Sequence, residues 1–106
     1  MALKVFSRPQ AEADLLAPYR YIAEASGLVN AGDYIDRIEV ARTSLGTFPN
    51  RGTSRDDLTP GLRTVAFERR VTIAYRVLKT RVEIVTIAYA GRDYETDLRA
   101  DRETKR

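Results

Sequence analysis

The pattern of apolar and polar residues changes about halfway along the chain. In the first half, apolar residues recur every three or four positions, which predicts amphipathic helices. From residue 62 onward they alternate with polar residues or form short apolar runs, which predicts strands. The predicted element order is β-α-α-β-β-β. The fold class is therefore α+β, with a helical hairpin packed on a small antiparallel sheet.

The first predicted helix has a proline in its interior. Ser7 and Gln10 have the spacing of a capping box, and Pro9 falls in the first turn, where its missing N–H costs nothing. Pro18 cannot donate a hydrogen bond to the carbonyl of Asp14. We therefore expect a kink at Pro18 or a division of the helix into two segments.

The second predicted helix runs from about residue 28 or 30 to residue 45. Gly46 suits the position just after its end. Residues 48–61 are rich in proline, glycine and aspartate, which predicts a loop. The predicted strands cover residues 3–6, 62–67, 71–78 and 81–89.

The length of the chain indicates a single domain. Two domains within 106 residues would leave too little core in each, so we assign residues 1–106 to one domain. The sequence becomes mostly polar only after Gly91. For that part we expect a short helix of one or two turns near residues 94–98 and a frayed tail over about residues 95–106.

Two absent residue types remove whole classes of chemistry. Without cysteine the chain has no disulfide, iron–sulfur cluster or thiol nucleophile, and without histidine it has no Ser-His or Cys-His machinery. The acidic residues form no tight ligand cluster and no glycine-rich phosphate loop is present, so we expect no metal and no cofactor. No apolar run approaches the roughly 18 residues of a membrane helix, and the N-terminus lacks the plan of a signal peptide. We therefore expect a cytoplasmic protein.

The positive charge is concentrated in the middle of the chain. The whole sequence has 18 basic and 15 acidic residues, a net charge of +3. Residues 51–81 carry eight basic and three acidic side chains, whereas the segments on either side are each −1. Arginine outnumbers lysine 15 to 3, and its planar fork suits phosphate or carboxylate groups. This segment is either a surface for nucleic acid or an acidic peptide, or simply a solvated face.

Short motifs spread along most of the chain resemble one known family. They occur in the two helices, in the loop, in the strands and just after the last strand, and the resemblance spans about residues 4–94. In this order and spacing they are similar to the ParE branch of the RelE/ParE toxin superfamily. The residues that carry the resemblance include Ala13-Asp14-Leu15, Tyr21-Ile22-Ala23, Tyr34, Arg37-Ile38, Pro49, Gly52, Arg55, Asp57-Leu58, Pro60-Gly61-Leu62-Arg63, Tyr75-Arg76-Val77, Val82-Glu83-Ile84 and Ala90-Gly91-Arg92-Asp93.

The resemblance implies the toxin of a bacterial type II toxin–antitoxin module, neutralised by a ParD-like antitoxin. ParE-like members poison DNA gyrase, whereas RelE-like members cut messenger RNA on the ribosome, and both share one fold. Ribonuclease chemistry needs a base, yet histidine is absent and none of the three lysines lies in a central strand. We favour a non-enzymatic gyrase poison that binds no specific nucleic-acid sequence. The alternatives are a ribosome-dependent mRNA endonuclease and an inactive toxin fold that only binds its antitoxin.

The candidate contact residues form two sets. The basic middle predicts that the antitoxin segment is acidic. Each set also has a structural interpretation, because the helix stripe is mainly core, Asp93 can cap the C-terminal turn and Arg92 can pair with a loop carboxylate. The target-binding set is Arg69, Arg70, Arg76, Arg92, Asp93 and Tyr94, and the antitoxin-binding set is Leu15, Tyr19, Ile22, Tyr34, Ile38 and Arg63.

Overall fold

The computed structural model of the chain describes residues 2–90 and 92–104. No helix in these residues is long and apolar enough to cross a membrane. The elements are β1 (Lys4–Ser7), α1 (Pro9–Ala13), α2 (Leu16–Ser26), α3 (Leu28–Ser44), β2 (Thr53–Ser54), β3 (Leu62–Phe67), β4 (Val71–Val77), β5 (Arg81–Tyr89) and α4 (Tyr94–Thr104).

The strands form one five-stranded sheet in the order β1-β5-β4-β3-β2. β3, β4 and β5 are an antiparallel meander, as predicted, and the two-residue β2 adds to the edge of β3. β1 runs parallel to β5, with Lys4 opposite Arg81. The sheet is therefore mixed rather than wholly antiparallel, because the long connection between β1 and β5 permits a parallel pairing. The predicted α+β class with a helical hairpin is confirmed.

Alternate residues of β4 point into two separate apolar clusters. Ile73 and Tyr75 belong to the larger cluster, which α3 covers with Tyr34 and Ile38. Ala74, between them, belongs to a smaller cluster on the other face of the sheet. That smaller cluster is Leu58, Leu62, Ala74 and Val85, with Tyr94 and Leu98 of α4 packed against it.

A β-bulge sets which residues of β5 reach the smaller cluster. Ala74 pairs with Thr86 while Tyr75 pairs with Ile84, so Val85 is an extra residue on β5. Ile84 packs in the larger cluster and Val85 in the smaller one. The bulge lies beside Thr86, whose side chain belongs to the polar site described below.

The predicted first helix is divided into α1 and α2, as the position of Pro18 suggested. The chain leaves α1 at Asp14 and enters α2 at Leu16. Pro18 is the third residue of α2, where backbone N–H groups have no partner within the helix, so its missing donor costs nothing. The two segments follow one another across a two-residue interruption at residues 14 and 15.

The predicted capping box at the start of the first helix is wrong. Ser7 lies in β1, and its Oγ accepts a hydrogen bond of 2.8 Å from Arg42 of α3. The N-cap residue is Arg8, which has extended backbone angles and makes no side-chain cap bond. Pro9 does occupy the first turn. The serine is used to join β1 to α3 instead.

The C-terminal helix is longer than the sequence indicated. α4 extends through Thr104, so most of the tail expected to fray is helical, while residues 105 and 106 lie outside the described residues. Asp93 caps the helix, because its two oxygens accept hydrogen bonds from Thr96 N at 3.0 Å and Thr96 Oγ1 at 2.6 Å. The packing of Tyr94 and Leu98 on the smaller cluster then stabilises a segment whose composition alone is polar.

Gly46 is required by a close backbone approach rather than by a left-handed helix cap. Leu3 N donates to Gly46 O at 2.8 Å, which ties the start of β1 to the end of α3. A Cβ at residue 46 would lie 2.2 Å from Leu3 O. Gly32, inside α3, has no atom within 4 Å of its corresponding Cβ position.

These two glycines should respond oppositely to alanine. We expect Gly46→Ala to lower the free energy of unfolding by about 1–3 kcal/mol, because β1 must move away from α3. Gly32→Ala should raise it by about 0.5–1 kcal/mol, because helix formation then costs less backbone entropy. Urea denaturation of both variants measures the two changes, and a neutral Gly46→Ala would contradict the close approach.

Candidate functional site

Arg69 and Arg70 form an exposed basic pair in the turn between β3 and β4. Glu68 and Arg69 have φ angles of 47° and 65°, which define a tight left-handed turn. Ala90 N donates to Arg70 O at 2.8 Å, so the backbone of the turn is also fixed to the end of β5. Neither arginine has an ion pair within the described part of the chain. The turn therefore presents two solvated guanidinium groups from a rigid backbone.

Arg76 lies at the opposite end of β4 from this turn. Arg76 follows Arg70 by six residue steps of extended strand, a distance of roughly 20 Å. Its side chain is half-buried, with NH1 3.8 Å from Glu83 Oε1. Arg8 NH2 donates to the same oxygen at 3.0 Å. The structure thus separates Arg76 from the basic pair and places it with Arg8 and Glu83.

Arg92 is bound to a buried carboxylate, that of Asp14. Asp14 Oδ1 accepts hydrogen bonds from Arg92 NH1 at 2.5 Å and from Gln10 Nε2 at 2.7 Å. Its Oδ2 accepts from Thr86 Oγ1 at 2.7 Å and from Ile87 N at 2.9 Å. Arg92 NH2 also donates to Thr86 Oγ1. One carboxylate therefore receives four donors from α1, β5 and the segment before α4.

The position of Asp14 follows from the helix interruption. β1 ends at Ser7, opposite Ile84, so the edge of β5 beyond it has no neighbouring strand there. At that edge the Asp14 carboxylate accepts the hydrogen bond from Ile87 N, which a backbone carbonyl of a neighbouring strand would otherwise accept. Because the interruption between α1 and α2 falls at this residue, the side chain can approach β5 closely.

The pKa of Asp14 is held below the ordinary aspartate value of 3.8. Burial by itself would raise the pKa, but the hydrogen bonds from Ile87 N, Thr86 and Arg92, together with that from Gln10, outweigh it. Asp14 is therefore a fixed anion at neutral pH. Arg92 is its charge partner and its side chain is 36% exposed, so part of the guanidinium still faces solvent.

Asp93 and Tyr94 both have contacts that support α4. Asp93 caps the helix, and its bonds with Thr96 lower the pKa of its carboxyl group. Tyr94 packs on the smaller cluster. The structure thus brings Arg92, Asp93 and Tyr94 together at the start of α4, and their role in target binding stays a prediction.

The antitoxin-binding set is divided between core and surface. Ile38 is fully buried, and Tyr34, 7% exposed, contacts the rings of Phe67 and Tyr89. Arg63 is bound to the preceding loop, with donor bonds of 2.7 Å to Asn50 O and 3.1 Å to Gly52 O among its contacts. The remaining members, Leu15, Tyr19 and Ile22, are half-buried on the helical hairpin.

The predicted contact residues left out several exposed apolar side chains of the helical hairpin, among them Val40 of α3, which is 71% exposed. On α2 these are Leu16 and Tyr21, which are 55% and 54% exposed. Leu28 and Val29, at the start of α3, are exposed to 69% and 77%. An apolar residue out of phase with the core stripe was the available signal, because such a position faces solvent on a surface helix.

The structure contains a cleft of about 470 Å³ between the start of α1, β5 and α4, and Arg8 and Arg92 are among its lining residues. Within the residues that the structure describes, no group of three acidic side chains is arranged to hold a metal ion. The polar chemistry of the cleft is therefore that of arginine, amide, hydroxyl and carboxylate groups.

Comparison with known proteins identifies a matching family and similar solved structures. The sequence profile of a family described as "ParE toxin of type II toxin-antitoxin system, parDE" matches residues 5–94. A solved structure, "Chromosomal ParDE TA system from P. aeruginosa", is similar with a TM-score of 0.72 and 26% sequence identity, over 84% of this chain and 97% of that chain. No curated protein sequence matches. Every candidate contact residue lies within the range matched by the family profile.

Replacement of Asp14 by asparagine should destabilise the fold. Each carboxylate oxygen of Asp14 accepts two hydrogen bonds. In either orientation of the asparagine amide, its NH₂ group would replace one of these oxygens and would face two hydrogen-bond donors instead of accepting from them. We expect a loss of about 2–4 kcal/mol at pH 7.

The pH dependence of the same variant provides a second check. Because the folded pKa is depressed, the stability from Asp14 is present above pH 3.8 and is lost as the pH falls through the folded value. Denaturation between pH 2 and pH 7 should show a shallower acid decline for Asp14→Asn than for wild type or for Asp33→Asn, a change at an exposed site on α3. Equal slopes would contradict the network.

Proposed function

The chain belongs to the ParE toxin family of type II toxin–antitoxin systems, and from that premise we propose that it inhibits DNA gyrase in the cytoplasm and is neutralised by a ParD-like antitoxin. The observation that carries the proposal is the family match over residues 5–94, which includes both sets of candidate contact residues. The proposed activity is binding, in which the toxin holds gyrase on cleaved DNA and performs no reaction itself.

The central strands offer little support for the alternative, messenger-RNA cleavage. A ribonuclease must remove a proton from the 2′-hydroxyl and stabilise a developing phosphorane charge. On the sheet face away from the helical hairpin, strand alternation places Thr64, Ala66 and Thr72 around the smaller cluster. The carboxylate on that side of β5, Glu83, is engaged by Arg8 and Arg76.

The basic turn is the best candidate for direct contact with the target. Arg69 and Arg70 are exposed and have no ion pair in the described residues, so contact with a partner would not first require breaking an internal pair. Arg92, Asp93 and Tyr94 would contribute by holding α4 in position. Arg76 would belong to a separate contact at the other end of β4.

A supercoiling assay tests the proposed activity. Purified chain is added to gyrase, ATP and relaxed plasmid, with and without the cognate antitoxin. We expect loss of supercoiling and accumulation of linear, protein-linked DNA, both reversed by the antitoxin. An unaffected reaction with folded chain that is toxic when induced in cells would reject gyrase as the target and would direct the next test to ribosome-bound messenger RNA.

Neutralising the basic turn should weaken gyrase inhibition. We expect Arg69→Gln/Arg70→Gln to raise the concentration for half-inhibition by about tenfold, because exposed charges act chiefly on association. The matched control is Lys4→Gln/Lys79→Gln, which removes the same charge from two exposed lysines, one at the start of β1 and one in the turn between β4 and β5. The supercoiling assay measures both, and equal effects of the two variants would argue for a general charge effect.

We also propose that the antitoxin lays a helix along α2. Leu15, Tyr19 and Ile22 give this surface half-buried apolar positions, with the exposed Leu16 beside them. Tyr34 and Ile38 would support the surface from beneath, and Arg63 would meet an extended part of the antitoxin beside its loop.

Leu16 provides the test of this docking surface. We expect Leu16→Gln to weaken antitoxin binding about tenfold, because the complex then buries a polar amide in place of an apolar side chain. Leu28→Gln, at a comparably exposed leucine on the tip of the hairpin, should change binding less than twofold. Titration calorimetry measures both, and a neutral Leu16→Gln would place the antitoxin elsewhere.

A further inference from the structure

The cleft between α1, β5 and α4 has two arginines among its lining residues. Arg8 is the N-cap residue of α1, and Arg92 precedes α4. Each guanidinium is held by a carboxylate partner, Glu83 for Arg8 and Asp14 for Arg92. Both side chains are therefore fixed in place before any ligand arrives, which reduces the ordering cost of binding.

Both arginines retain unused donors. A guanidinium has five N–H donors. Within the described residues, Arg8 makes one side-chain hydrogen bond, to Glu83, and Arg92 makes two, to Asp14 and Thr86. The side chains are 32% and 36% exposed, so donors remain accessible to a ligand in the cleft.

Asp97 lines the same cleft and has no hydrogen bond or ion pair from its carboxylate within the described residues. Tyr94, Asp97 and Leu98 lie three and four residues apart on α4, so they share the helix face that meets the cleft. Asp97 has no ion pair with either arginine in the described residues, although all three side chains line the same space. Val85 and Leu98 add apolar surface. A ligand that fits must therefore offer an acceptor to the arginines and a donor to Asp97.

The charge of the cleft argues against a polyanion as that ligand. Among the described residues, the charged lining residues and their ion-pair partners are Arg8, Arg76 and Arg92 against Asp14, Glu83 and Asp97, so this group has no net charge. A nucleic-acid strand gains its affinity from a positive field, which is absent here. A polypeptide carries a side-chain carboxylate, amide N–H groups and apolar side chains within a few residues, and this mixture matches the lining.

We propose that this cleft binds an acidic residue of an extended peptide segment of the antitoxin, with the carboxylate on Arg8 and Arg92 and a main-chain N–H on Asp97. The proposal rests on the proposed function, since it names a subsite for the same partner. It differs from a contact at the basic turn because recognition here comes from hydrogen bonds between fixed groups rather than from net charge.

The test uses the full chain and its cognate antitoxin. The antitoxin's toxin-binding segment is varied one acidic residue at a time, to glutamine or asparagine. We expect Arg8→Gln to raise the dissociation constant about tenfold at both 0.1 M and 0.5 M salt. One of the antitoxin substitutions should lose most of its own effect in the Arg8→Gln background, which identifies the bound carboxylate by a double-mutant cycle.

Matched variants separate the cleft from general charge and from misfolding. Arg99→Gln removes the same charge from an exposed position of α4 that does not line the cleft, and it should change binding less than twofold. Asp97→Ala removes a side chain with no hydrogen bond or ion pair in the described structure, so it leaves the fold intact while weakening binding about threefold. Thermal unfolding of each variant confirms folding.

Three outcomes would overturn the proposal. Equal effects of Arg8→Gln and Arg99→Gln on antitoxin binding would mean that Arg8 contributes only general positive charge and no specific contact in the cleft. If Asp97→Ala bound the antitoxin with wild-type affinity, no antitoxin N–H would donate to Asp97. If no acidic residue of the antitoxin were coupled to Arg8, the cleft would bind no antitoxin carboxylate. In each case antitoxin binding by the wild-type chain survives, so only the subsite fails. A wild-type chain that binds no antitoxin would instead overturn the proposed partner, and the subsite with it.

Discussion

The carboxylate of Asp14 is the interaction on which the arrangement of this small domain depends. It lies at the interruption between α1 and α2 and joins that point to β5 through Thr86 and Ile87. Burial of an anion is costly, and the four donors around it offset that cost. Through Arg92 the same carboxylate also holds the segment that leads into α4. The helical hairpin, the sheet and the C-terminal helix are thus positioned by one charged group.

Most arginines of the basic middle segment are used within the fold, which narrows the surface they offer to a partner. Arg55 bonds to Asp57 and, at 2.9 Å, to Glu95 of α4, so the loop and the helix are tied together. Arg63 is occupied by loop carbonyls and Arg76 lies against Glu83. The pair that stays free in the described residues is at the β3–β4 turn. A sequence charge of +5 over residues 51–81 therefore becomes a small basic patch rather than a broad basic face.

The predictions from sequence succeeded where a single element carries its own signal. β3 and β5 were predicted to the residue, because each is a short, largely apolar run bounded by turn residues, and β5 is also rich in valine and isoleucine. Contacts between distant residues carry no such signal. The Asp14 network joins residues 10, 14, 86, 87 and 92. Position 46 must be glycine because the backbone of Leu3 approaches it closely. Both contacts join residues far apart in the chain, so the pattern of neighbouring residues could not predict them. The length of α4 likewise depends on an apolar cluster assembled from the loop and two strands.

The hairpin surface and the basic turn are neighbours, and with the contacts proposed above this proximity would link neutralisation to target binding. Tyr21 of α2 contacts the ring of Tyr89 at 6.0 Å between centroids. Tyr89, the last residue of β5, is paired with Val71 of β4. The next residue, Ala90, donates a backbone hydrogen bond to Arg70 O. A helix laid along α2 past Tyr21 would therefore end beside the basic turn. An antitoxin that uses mainly the apolar surface of the hairpin could block a target at Arg69 and Arg70 by occupying the space next to them, without pairing with either charge.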